Sequence, residues 1–189
     1  MWAVLSALLA CSAGGGSGDE LSGANTSAEP IDDFGPAPTF SLTDQNGQPR
    51  TQADFAGKVW VADFIFTSCP NVCPTLTAKM ADLQTRHPGL SLVSFSVDPK
   101  NDTPPVLLAY AQRFHAGPSW YFLTGPIDDV RRVVVDGFKM ALESTPGVDG
   151  GPDEIIHGER FVIVDKAGHM RGFPEAQDPE VERILAGLK

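Results

Sequence analysis

The chain predicts an α/β fold, a central mixed β-sheet flanked by helices, and three observations carry that expectation. The runs Lys58–Phe66 and Leu90–Val97 are almost continuously apolar and rich in β-branched and aromatic residues, as strands covered on both faces require. Segments with apolar residues at helical spacing stand between and after these runs, so strands and helices alternate. Near the end, two short apolar runs flank Asp165-Lys166-Ala167-Gly168 and read as a closing hairpin.

The elements follow in order. Pro38–Leu42 reads as a short strand, and Asn46-Gly47 beyond it is a strong hairpin-turn signal. The run KVWVADFIF comes next. Leu76, Met80 and Leu83 then recur at helical spacing across Thr75–Gln84, and His87-Pro88-Gly89 stops that helix. After the second central strand, Asp102-Thr103-Pro104 opens a helix that continues to Phe114, with Asp or Thr as cap and proline in the first turn. Trp120–Leu123 is a third strand and Ile127–Asp136 another helix. Arg160–Val164 and Met170–Phe173 are the arms of the hairpin, and a last helix starts after Asp178-Pro179.

Length and charge narrow the class. The 189 residues allow one ordinary domain. The net charge is −10 with no basic block, and a phosphate backbone needs clustered Lys and Arg, so nucleic acid is not an expected partner. Residues 1–11 read as a leader, 12–33 as a tether and 34–189 as the folded domain. The tether is rich in Gly and Ser and too poor in apolar side chains to offset its ordering entropy. Met1–Ala10, MWAVLSALLA, is too short to span a bilayer as a helix and resembles the end of a secretory signal. Leu8-Leu9-Ala10-Cys11 is similar to a bacterial lipobox, which makes Cys11 the expected lipidation site. This places the domain outside the cytoplasm, on the periplasmic side, where a cysteine pair can persist as a disulfide.

That pair is Cys69 and Cys73, in FTSCPNVCPT. It sits where a central strand gives way to a helix, the end of an open α/β sheet at which sites tend to form. Pro70 and Pro74 disfavour helical geometry at the residues before them, so the helix is expected to start at Pro74 with Cys73 as its cap and Cys69 in the preceding turn. The partial positive charge of a helix start favours thiolate, the form that both disulfide exchange and metal binding need. Three intervening residues allow a disulfide but also leave room for an ion between two soft sulfurs, which suit Cu(I), or zinc with further ligands. As a purely structural disulfide the pair closes too short a loop to stabilise the chain much.

A metal needs a further ligand, and there are four histidines. His87, His115 and His169 lie in turns or at a helix end and read as surface residues. His157 lies in IIHGER, directly before the apolar strand RFVIV, at the end of a loop that is able to reach the same sheet edge.

Three segments, FIFTSCPNVCP at 64–74, SVDPKNDTP at 96–104 and HGERFVIVD at 157–165, together resemble the Sco/SenC family of copper-binding proteins. The resemblance covers residues 34–188 and implies a thioredoxin-like sandwich, tethered to a membrane, that helps assemble the copper centre of cytochrome c oxidase. It implies copper ligation by Cys69, Cys73 and His157; these hold Cu(I), and the same thiols are able to hold Cu(II) with a further oxygen ligand. The implied partners are the copper-bearing oxidase subunit or another periplasmic copper chaperone. Two further carboxylates have open roles. Asp63 lies six residues before Cys69, the offset at which thioredoxins keep a buried Asp; it either assists proton transfer at a thiol or is structural. Asp98 either supports the metal loop from behind or makes a local turn bond. Asp149, Asp153 and Glu154 suit hard cations rather than Cu(I) and read as a solvated loop.

Copper delivery is therefore the leading expectation. The alternative is an extracytoplasmic thiol–disulfide oxidoreductase in which Cys69 attacks and Cys73 resolves, a reading that leaves His157 without a task. A peroxidase would need an Arg beside its cysteine, and only Thr67 and Thr75 lie near the motif.

Overall fold

The structure is a computed structural model and describes residues 30–70, 72–140, 143–145, 154–156 and 159–189. Its strands are β1 (Ser41–Asp44), β2 (Pro49–Thr51), β3 (Trp60–Ile65), β4 (Ser91–Ser96), β5 (Trp120–Thr124), β6 (Glu143–Thr145), β7 (Glu154–Ile156), β8 (Val162–Val164) and β9 (Met170–Gly172). Its α-helices are α1 (Val72–Arg86), α2 (Pro104–Arg113), α3 (Ile127–Arg131) and α4 (Glu180–Gly187). Seven strands form one mixed sheet in the order β2-β1-β5-β4-β3-β8-β9, and β6 pairs with β7 alone. The expected α/β sandwich, a mixed sheet flanked by helices, is the observed one.

Every residue of β3 and β4 is buried, and the two run parallel in register from Trp60 opposite Ser91 to Ile65 opposite Ser96. β5 extends the parallel set beyond β4. Two right-handed parallel crossovers in the same direction put α1 and α2 on one face of the sheet; the Thr77 and Tyr110 hydroxyls meet there at 2.9 Å. Alternation along β3 sends Trp60 and Phe64 to the other face. There they join an aromatic cluster with Phe95 and Phe138, with centroids 5.4–6.3 Å apart. Asp63, of opposite parity, points to the helix face.

The outer elements depart from the sequence reading by a few residues. β1 runs past Leu42 to Asp44, whose buried carboxylate accepts from the backbones of Asn46 and Gln48 and from Arg50 Nε at 2.8–2.9 Å. That carboxylate and Gly47 at φ +75° form the turn into β2. The helix expected over Ile127–Asp136 is α for one turn and then widens into π-helical turns at Arg132–Gly137. The closing hairpin is as expected, with Asp165 Oδ1 accepting from the backbones of Ala167 and His169. At the domain's beginning, Asp33 accepts from His169 Nδ1 at 2.9 Å, and Arg171 donates to the carbonyl of Ile31. No helix among the described residues is long and apolar enough to cross a membrane.

Candidate metal centre

The cysteine pair lies at the carboxyl end of β3, as its sequence position implies, but the helix begins earlier than the prolines suggest. α1 starts at Val72, so Cys73 is inside its first turn and not at its cap. Proline is tolerated this close to a helix start, because its missing N–H would have no intrahelical partner there. The buried stripe of α1 is Cys73, Leu76, Thr77, Met80 and Leu83. Cys73 thus extends the core-facing stripe by one turn and is 0% exposed. Cys69 is half-buried in the loop before the helix, and its Sγ accepts from the backbone N–H of Cys73 at 3.3 Å. Both residues stand as thiols.

This burial reverses the electrostatic expectation for one thiol. Ionising Cys73 would place a thiolate in the core, and that desolvation pushes its pKa well above the ordinary thiol value. The neighbouring Cys69 adds to the shift and the Phe66 backbone opposes it. The partial charge at the helix start does not overcome the cost of burial.

Asp63 lies on β3, on the face that the helices cover. It is 0% exposed, and neither carboxylate oxygen has a hydrogen-bond partner. Burial raises its pKa to about 7; Ser94, its register partner on β4, opposes the shift without closing a hydrogen bond of normal geometry. Its charge acts on both Cys73 and Tyr110, which places the three in one buried neighbourhood. Thr77 completes it, donating to the Cys73 carbonyl at 2.8 Å.

The SVDPKNDTP segment folds against the cysteine loop. Val97 donates its N–H to the Ile65 carbonyl at 2.8 Å, joining the ends of β3 and β4. Asp98 is half-buried and makes the local turn: Oδ2 accepts from Asn101 Nδ2 at 2.7 Å, and its carbonyl accepts from the N–H groups of Asn101 and Asp102. Of the two expected cap residues, Asp102 and Thr103, the structure takes Thr103, with no side-chain cap bond. The Asp102 carboxylate, 0% exposed, instead reaches the cysteine loop and accepts from Thr67 Oγ1 at 2.5 Å and from Ser96 Oγ at 2.6 Å. The Thr67 backbone N–H, at 3.2 and 3.3 Å from its two oxygens, adds to the set. Burial raises the pKa of Asp102 and these donors oppose the rise. Sequence reasoning missed this contact because a Asp-Thr-Pro triplet is also a helix-start pattern. The signal that distinguishes the two is the second proline, Pro105, which lowers the number of N–H groups needing a cap.

The remaining sequence candidates divide cleanly. His157 and Cys11 lie outside the described residues, as do Asp149 and Asp153; Glu154 opens β7. His87 contacts Glu182 Oε2 at 3.0 Å beyond the far end of α1, His169 is bound to Asp33, and His115 is exposed. His115 is the surface residue it was expected to be, whereas the His87 side chain is only 14% exposed because it packs against Glu182. No group of three or more His, Cys, Asp or Glu side chains suited to a metal ion occurs among the described residues.

The SCO1/SenC family model matches residues 30–189. A SCO1/SenC family lipoprotein from Bacillus anthracis str. Ames is similar in fold at a TM-score of 0.71 and 35% identity, over 80% of this chain and 92% of that one. BsSco, described as a member of the Sco family of cytochrome c oxidase assembly proteins with a disulfide switch, aligns at a TM-score of 0.70 and 28% identity, over 84% and 95%. Yeast Sco1 with copper bound aligns at 0.66 and 25%, over 80% and 87%. With the model spanning the sheet, the cysteine loop and the closing hairpin alike, this chain belongs to the SCO1/SenC family.

Proposed function

We propose that the chain is a metallochaperone that holds one copper ion through Cys69, Cys73 and His157 and delivers it to the copper centre of cytochrome c oxidase. The observation that carries this reading is the pair itself: two thiols at the carboxyl end of β3, one half-buried in a loop and one at the base of a helix, with the Cys73 backbone N–H donating to Cys69 Sγ at 3.3 Å. Two soft sulfurs with an imidazole match Cu(I), whereas the carboxylates nearby are engaged in hydrogen bonds or buried. Copper is cargo, so its site must open to a partner. Cys69, the more exposed thiol, is the group a partner's thiol reaches first.

Copper displaces the thiol protons as it binds, and delivery passes it to a recipient's ligands by exchange. The recipient is the copper-bearing oxidase subunit, or another periplasmic chaperone upstream of it. A lipid on Cys11 with the tether holds the domain at the membrane on its extracytoplasmic side. The kinship with a family lipoprotein supports that anchor, and mass spectrometry of the membrane fraction that finds Cys11 unmodified rules it out.

The decisive experiment is an equilibrium Cu(I) titration of the reduced chain. One ion binds tightly, and Cys69→Ser, Cys73→Ser and His157→Ala each abolish or weaken that binding. A chain that binds no copper refutes the proposal. If His157→Ala still reduces a partner's disulfide while losing copper, thiol exchange is a separate activity of the same cysteines.

A further inference from the structure

We propose that Asp102 is a positioning residue for the copper site: its buried carboxylate braces the cysteine loop from the turn before α2, and tight copper binding depends on that brace. The proposal rests on the copper reading above.

The chain of contacts is short. Thr67 is two residues before Cys69 and gives Asp102 both its hydroxyl, at 2.5 Å, and its backbone N–H, at 3.2 and 3.3 Å. Cys69 in turn donates its own N–H to the Phe66 carbonyl at 3.2 Å, so the loop from Phe66 to Cys69 is fixed at both ends of Thr67. On the other side, Ser96 at the end of β4 donates to Asp102 at 2.6 Å and accepts from the N–H of Asp98 at 3.2 Å. One carboxylate therefore joins the end of β3, the end of β4 and the start of the cysteine loop.

A fully buried carboxylate is costly unless its oxygens are hydrogen-bonded, and here each oxygen is. The helix that follows does not need this side chain: Pro104 and Pro105 begin α2 without N–H groups to cap. The arrangement fits a group that orients ligands. Groups behind a metal ligand fix its direction, and losing one commonly lowers metal affinity about 10- to 100-fold.

Asp102→Asn in the full chain is the test, because the amide keeps the shape but sets an NH2 group against donors. The Cu(I) dissociation constant is expected to rise about 10- to 100-fold, and the absorption spectrum of the Cu(II)-loaded chain to shift. Asp44→Asn is the matched control: Asp44 is also 0% exposed and accepts three donors, but at the β1–β2 turn. It is expected to lower the melting temperature while leaving copper affinity and spectrum as in the wild type. Wild-type affinity and spectrum in Asp102→Asn overturn the proposal, and so does an equal loss in Asp44→Asn. If Asp102→Asn fails to fold, Thr67→Val removes only the hydroxyl donor; it is expected to weaken copper in the same direction, and unchanged binding overturns the brace. A wild-type chain that binds no copper refutes the function itself, whereas wild-type binding with an indifferent Asp102→Asn refutes the brace alone.

Discussion

A carboxyl group whose two oxygens are buried without partners ionises only at a cost, and Asp63 is such a group at the centre of β3. Its pKa rises from 3.8 to about 7 on folding because burial disfavours the charge. Between those values the native state holds a proton that the unfolded chain has released. Stability therefore falls as pH rises from about 4 to about 7, and the loss is complete above that window. By that linkage Asp63 alone contributes a loss on the order of 4 kcal/mol across it, and Asp63→Asn removes that part of the dependence. Urea unfolding at either end of the window checks this; parallel profiles for the two proteins would show that Asp63 carries no such penalty. The position of Asp63 was legible as a polar break in an apolar run, but its lack of partners was not, since that depends on Ser94 of the neighbouring strand and on α2, which carries Tyr110. The same holds for Cys73. The Leu76, Met80, Leu83 stripe runs back by one turn to Cys73, yet Pro74 pointed to a later helix start. The cap of α2 was legible as Asp102 or Thr103 and is Thr103, but the reach of the Asp102 carboxylate to Thr67 was not, because a cap and a brace share one local sequence.

At the scale of elements, the two central strands were legible to within two residues, because burial on both faces leaves an unbroken apolar run. Short edge elements were not: β2 has three residues and no apolar pattern, and β6 and β7 stand in a stretch read as a solvated loop. The π-helical turns after α3 have no sequence signature either, but they have a packing consequence. They bring Gly137 against Pro38, where an added Cβ would lie 2.4 Å from the proline Cβ and 2.7 Å from its Cγ. Neither ring nor backbone can yield freely. Phe138 follows directly and fills the aromatic face at 0% exposure. Gly137→Ala should therefore destabilise the fold by about 1–3 kcal/mol through overpacking, read as a lower urea midpoint with unchanged slope. An unaltered midpoint would mean that this contact relaxes.

For the whole molecule, the parallel strands all end on the side that carries the cysteine loop and the SVDPKNDTP turn. Both meet there because each follows a central strand of the parallel set β3, β4 and β5. The opposite side holds the end of α1, where His87 pairs with Glu182. A net charge of −10 does not choose a partner, so the proposed function rests on the proposed ligands Cys69, Cys73 and His157. Copper-edge X-ray absorption of the Cu(I)-loaded chain tests that set most directly. The account predicts two sulfur neighbours and one nitrogen neighbour, with the nitrogen lost in His157→Ala and a sulfur lost in Cys69→Ser. A spectrum with sulfur neighbours alone, unchanged by removal of His157, would contradict it.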